Sequence, residues 1–215
     1  RISEHTKRIP KPLIKVKNKP LILYIMDIYK KYGFNDFIIA GGYKFNILKN
    51  FFDKQKKYNV QVIDTGLSTL TGKRIKLLKK YIDTENFFLT YGDGISDVNI
   101  RKLLRFHLTH KKIATMTVVH PPSRFGELKF DKYKNIVKFE EKPQLGEGWI
   151  NGGFFVFKKD FFNFLDNKNV MLERSPINKV IKVKQIKSFV HKGLWMCVDT
   201  KRDLLSLEKN INSFK

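Results

Sequence analysis

One cysteine, Cys197, is the whole thiol complement of the 215 residues, so neither an intramolecular disulfide nor a thiolate metal cluster can form. Nothing asks for an oxidising compartment, and a reducing cytoplasm is the expected setting. No run of about 18 apolar residues is available to cross a bilayer, and no basic-then-apolar start with a small-residue cleavage site is visible. A membrane is therefore not an expected partner. Acidic residues are scarce, 20 Asp and Glu against 43 Lys and Arg, and the net charge of +23 favours polyanions such as nucleic acid, acidic lipid or phosphorylated metabolites. Charge alone does not choose among them, and runs such as Lys54-Gln55-Lys56-Lys57 also fit plain solvated faces. Internal repeats and low-complexity linkers are absent too. With 42% hydrophobic and 13% aromatic residues, the chain reads as one globular domain.

The pattern that is present alternates strands with helices. Apolar residues at Leu21, Tyr24, Ile25 and Ile28 have helical spacing, and Gly33 sits where that helix would stop. Asp36–Ala40 predicts a short buried strand, 45–52 a helix, 59–63 a strand, 75–82 a helix, 87–90 a strand and 98–110 an amphipathic helix. Such alternation predicts a mostly parallel sheet covered on both faces. After a strand at 113–119 the rhythm changes, and extended segments at 127–130, 136–139 and 152–157 suggest antiparallel additions at one edge. Helices at 161–165 and 176–181, a strand at 194–198 and a last helix at 201–208 complete the series.

Four features carry chemistry. Lys11 stands between Pro10 and Pro12, which restrict its backbone, so its ammonium can be aimed at a phosphate at small entropic cost. Asp93, in Tyr91-Gly92-Asp93-Gly94, follows an apolar strand in an α/β pattern, where ligands bind and a carboxylate can hold Mg²⁺. Asp199 follows the strand at 194–198 in the same way and could share that ion; its alternative is to cap the final helix. Thr65-Gly66 through Thr71-Gly72-Lys73-Arg74 forms a small, hydroxyl-rich loop that ends on a cation, although it is not a Walker loop. Glu141-Lys142-Pro143, followed by Asn151-Gly152-Gly153, brings together groups suited to a sugar phosphate. His107 and His110, three apart on a helix with no third ligand in view, read as a surface pair rather than a metal site.

In this order and spacing the segments resemble the sugar-1-phosphate nucleotidyltransferases. The match runs through Arg1-Ile2-Ser3-Glu4 with Pro10-Lys11-Pro12, Asp64-Thr65-Gly66 to Arg74, Tyr91-Gly92-Asp93-Gly94, Arg124-Phe125-Gly126, Glu141-Lys142-Pro143, Ile150-Asn151-Gly152-Gly153-Phe154-Phe155 and Val198-Asp199-Thr200 with Arg202-Asp203. The loop ending on Arg74 and the Arg-Phe-Gly segment point to the cytidylyltransferase branch. The resemblance implies a Rossmann-like α/β fold, usually assembled into homo-oligomers, with CTP and glucose-1-phosphate as substrates and Mg²⁺ as cofactor. It implies Arg1 and Lys11 on the nucleotide phosphates, Thr69 and Arg74 on the nucleotide with Gly92 beside it, and Asp93 and Asp199 on the metal. Lys142 would meet the sugar phosphate, with Gly126 nearby, while Glu141 and Asn151 meet the sugar.

The family opens with a strand and a glycine-rich loop ending Gly-Thr-Arg, of which only Arg1 is in this sequence, so an upstream segment is expected. Rival readings are a uridylyl- or thymidylyltransferase, a glycosyltransferase, and a basic nucleic-acid-binding module. Glycosyltransferases of related fold usually carry Asp-x-Asp at the metal strand, whereas here the next acid after Asp93 is Asp97. A nucleic-acid module would interleave aromatics with Lys on an exposed strand face. The phenylalanines here stand in buried-looking runs, so nucleic acid is not an expected partner.

Overall fold

The computed structural model describes residues 9–121, 127–140 and 148–214. Following a 3₁₀ turn at Lys11–Leu13, the elements in chain order are β1 (Lys15–Val16), β2 (Lys19–Pro20), α1 (Leu21–Lys30), β3 (Asp36–Gly41), α2 (Phe45–Asp53), β4 (Asn59–Asp64), α3 (Thr71–Leu77), β5 (Asn86–Thr90), β6 (Gly94–Ser96) and α4 (Ile100–His110). They continue with β7 (Ala114–Val119), β8 (Glu127–Phe130), β9 (Ile136–Glu140), β10 (Ile150–Lys158), α5 (Ser175–Lys182), β11 (Ile186–Val190), β12 (Trp195–Cys197) and α6 (Lys201–Asn210).

The main sheet runs β11-β7-β10-β5, while β3 and β4 form a separate parallel pair. β11 lies parallel to β7, but β10 is antiparallel to both β7 and β5. The sheet is therefore mixed, and its antiparallel share is larger than the strand–helix alternation suggests, because the long β10 returns between two earlier strands.

β10 organises the core. Phe154, Phe155, Val156 and Phe157 are almost fully buried. Successive strand residues face opposite sides, so Phe154 and Val156 join a cluster with residues of α1, α4 and α6, while Phe155 and Phe157 join one with Phe161, Phe162 and α5. Each such side chain contributes about 1.5–3 kcal/mol of burial. A third cluster joins α1 to α2 and the β3–β4 pair. Tyr29 of α1 touches Phe37 of β3 and Phe88 of β5, with ring centroids 6.3 and 5.4 Å apart, so one helix spans both sheets.

Helix boundaries follow local chemistry in most places. α1 ends three residues before Gly33, whose φ of +90° suits glycine. At α4 the Asn99 side chain accepts the Lys102 N–H at 2.9 Å. The expected helix at 75–82 instead begins at Thr71 and gives way to a 3₁₀ turn at Lys79–Tyr81. Its first N–H groups find partners far along the chain, Leu70 on Asn169 Oδ1 at 2.8 Å and Gly72 on the Val170 carbonyl at 3.0 Å, which fixes an earlier start. Likewise the segment expected as helix at 161–165 is a 3₁₀ stretch, Lys159–Phe164, running directly from β10. β1, β2, β6 and β11 carried no expectation of their own.

The histidine pair is also corrected. His107 is fully buried, its Nδ1 2.8 Å from Thr115 Oγ1 and its Nε2 3.1 Å from Asn86 Oδ1, while His110 Nε2 lies 2.7 Å from the same Thr115 hydroxyl. Burial, and next the charge of His110, depress the His107 pKa to about 4, so it is a neutral polar tie between α4, β5 and β7.

Candidate active site

The site forms where two short strands end. β6 and β12 pair antiparallel with Gly94 opposite Cys197, and the Val198 N–H donates to the Asp93 carbonyl at 3.0 Å. That register brings Asp93, just before β6, beside Asp199, two residues beyond β12, although the acids are far apart in sequence. Lys11 arrives on the 3₁₀ turn between its prolines, and its ammonium donates to Asp93 Oδ2 at 2.7 Å and Asp199 Oδ1 at 2.6 Å. Pro12 packs over Gly92, where a Cβ would meet its Cγ at 3.2 Å. Gly92 therefore keeps the lysine turn close to the acids.

Asp199 does not cap the last helix. Thr200 is the N-cap: its hydroxyl accepts the Asp203 N–H at 3.2 Å while Asp203 Oδ2 accepts the N–H of Thr200 at 2.8 Å. The same Asp203 oxygen accepts the Asp199 N–H at 3.0 Å, which fixes the Asp199 backbone. Burial alone would lower the Lys11 pKa, but the hydrogen bonds and charges of Asp199 and Asp93 outweigh it and leave the pKa raised. Cys197, unexpected from the sequence, completes the cluster: one donor atom from each of Asp93, Cys197 and Asp199 lies within 4.8 Å of the others. Burial first, then the two carboxylates, push its thiol up to about 12. Its signal was its position two residues before Asp199, which places both on one side of an extended segment. The Lys11 ammonium lies between the two carboxylates, and their hard oxygen donors are of the kind that suit a divalent ion.

Arg74 ties the end of β3 to the loop after β4. Its Nη1 donates to the Gly41 carbonyl at 2.9 Å and to the Thr65 hydroxyl, and Nη2 reaches the Leu67 carbonyl at 3.4 Å. A Cβ on Gly42 would come 2.5 Å from the guanidinium and 2.8 Å from the Gly66 carbonyl oxygen, and the backbone contact favours glycine there. Thr69 stands by this loop, its Oγ1 2.9 Å from where a Cβ on Gly66 would lie. Asn151, on β10, donates from Nδ2 to the Tyr91 hydroxyl at 3.2 Å. The structure thus joins Lys11, Asp93 and Asp199 directly, sets Gly92 against them, and links Asn151 to Tyr91, two residues before Asp93. Arg1, Gly126, Glu141 and Lys142 lie outside the described residues.

Two acids at neighbouring strand ends of an α/β sheet, bridged by a lysine and approached by glycine turns, stand where ligands bind in folds of this class. The chain belongs to the nucleotidyl transferase family, whose model matches residues 1–213. It is 35% identical over 232 residues to glucose-1-phosphate cytidylyltransferase of Salmonella typhimurium, covering 97% of this chain and 90% of that protein. A probable glucose-1-phosphate cytidylyltransferase of Bacillus subtilis is also 35% identical, over 235 residues, covering 99% and 92%. Among solved structures, the inositol-1-phosphate CTP transferase of T. maritima has the same fold, with a TM-score of 0.73 at 17% identity over 100% of this chain and 91% of that one. No helix among the described residues is long and apolar enough to cross a membrane.

Proposed function

We propose that this nucleotidyltransferase joins CTP to glucose-1-phosphate, giving CDP-glucose and pyrophosphate. The observation that carries the chemistry is the Lys11–Asp93–Asp199 cluster; the choice of CTP and glucose-1-phosphate is supported by the relatives of 35% identity. A phosphate oxygen of the sugar phosphate attacks the α-phosphorus of the triphosphate, a new P–O bond forms, and the bond to the β-phosphate oxygen breaks in line. The attacking monoester is already ionised near neutral pH, so no general base is needed and positioning with charge neutralisation suffices. That accounts for a site of Lys and Asp with no histidine among the described residues.

In this reading Lys11 leaves the carboxylates and meets the phosphates, with Arg1 beside it. Asp93 and Asp199 would hold Mg²⁺, which would offset the charge of the phosphates. Thr69 and Arg74 border the nucleotide beside Gly92, and Gly126, Glu141, Lys142 and Asn151 receive the sugar phosphate. The enzyme works as a homo-oligomer in the cytoplasm.

The test is pyrophosphate release with glucose-1-phosphate and each nucleoside triphosphate in turn. CTP should be preferred. Preference for UTP or dTTP would overturn the choice of base.

A further inference from the structure

Behind Asn151 stands a chain of hydrogen bonds that no substrate role assigned above uses. Asn151 Nδ2 donates to the Tyr91 hydroxyl at 3.2 Å, and that hydroxyl donates in a close contact to Oε1 of Glu173. The other oxygen of Glu173 accepts from the Thr71 hydroxyl at 3.4 Å, and Thr71 Oγ1 accepts the Leu172 N–H at 2.8 Å. Asn151 Oδ1 accepts the Gly153 N–H at 2.9 Å. Gly153, with φ +77°, lies against the Tyr91 ring, where a Cβ would come 2.9 Å from Cδ2.

Proton counting fixes every direction in this chain. An ionised Glu173 can only accept, so the single Tyr91 proton goes to it. The Tyr91 oxygen can then only accept, so Asn151 must turn its NH₂ toward Tyr91 and its oxygen toward the Gly153 N–H. One N–H and one oxygen lone pair of the amide remain, in a set orientation, which can donate to and accept from one sugar hydroxyl.

We infer that Tyr91 and Glu173 are positioning residues that lock the amide of Asn151 for one hydroxyl of the sugar phosphate, and so set affinity and discrimination for the sugar rather than for the nucleotide. This rests on the proposed role of Asn151 toward the sugar. Among these residues Asn151 alone would touch substrate; Tyr91 and Glu173 act through it.

The test is steady-state kinetics on the active enzyme with each substrate varied in turn, for wild type, Tyr91→Phe, Asn151→Ala and the double variant, with thermal melting alongside. Tyr91→Phe should raise KM for the sugar phosphate about tenfold, the scale of one well-placed hydrogen bond, and leave KM for the nucleotide unchanged. Glu173→Ala should match it, and Glu173→Gln, which keeps an acceptor for the Tyr91 proton, should largely restore wild-type behaviour. In the Asn151→Ala background Tyr91→Phe should add nothing. An unchanged sugar KM, an equal rise in both KM values, or additive effects would overturn the inference while leaving the function standing. Wild-type enzyme that uses no sugar phosphate would overturn the function and the inference with it.

Discussion

Lys11→Met removes the cation that lies between Asp93 and Asp199. In the structure that ammonium stands 2.7 and 2.6 Å from the two carboxylates. Without it, two like charges with oxygens within 4.8 Å of each other are left facing. Their repulsion is about 1 kcal/mol at the dielectric of water and about 3.5 kcal/mol at that near a protein surface. The Asp199 side chain is 64% exposed, so the lower figure applies. A divalent cation binding the nucleotide-free protein then meets a more negative site and displaces no ammonium, and about 1 kcal/mol makes it bind about fivefold more tightly. Turnover moves the opposite way. Charge on the α-phosphate oxygens grows toward the transition state, so losing the lysine should lower kcat more than it raises KM. Calorimetric titration of Mg²⁺ or Mn²⁺ into the free protein measures the first effect and pyrophosphate release the second. Weaker cation binding by Lys11→Met would refute the competition between ammonium and metal, and a defect in KM alone would refute the phosphate role.

The two carboxylates should behave as one unit: Asp93→Asn and Asp199→Asn each lose activity and require more Mg²⁺ for half-maximal rate, and the double variant is little worse than the poorer single one. An unchanged Mg²⁺ requirement in Asp199→Asn would sink the shared site. Thr200→Ala, which removes the cap of α6, should cost about 1 kcal/mol of stability in denaturant unfolding without altering the Mg²⁺ requirement, because the cap and the ligand are adjacent but separate residues. His107 gives a pH signature. Its folded pKa of about 4 lies below the ordinary 6.5, so the unfolded chain binds more protons between these values. The stability this group gives is whole above about pH 6.5 and lost as pH falls, reaching about 3 kcal/mol by pH 4. Unfolding free energies measured from pH 7 to 4 should therefore fall less steeply in His107→Gln than in wild type, and identical slopes would show that His107 is not held neutral.

Much of this was legible in the residue order. The unbroken apolar run Phe154–Phe157, the helical spacing after Pro20 and the glycines around Asp93 each carry their signal within a few residues. Backbone geometry and burial preference act at that range, so strand β10, helix α1 and the turn before β6 could be placed, and Lys11, Asp93 and Asp199 could be chosen as candidates. What only the tertiary structure decided depends on partners distant in sequence. The start of α3 is set by Asn169 and Val170, the buried state of His107 by Asn86 and Thr115, and the arrival of Cys197 beside Asp93 by the register of β6 with β12. Glu173 had no local signal at all, since its meaning comes from the Tyr91 hydroxyl 82 positions earlier. A sequence displays short-range periodicity directly, whereas the pairing of two strand ends is fixed by a hydrogen-bond ladder that forms only when the whole sheet does.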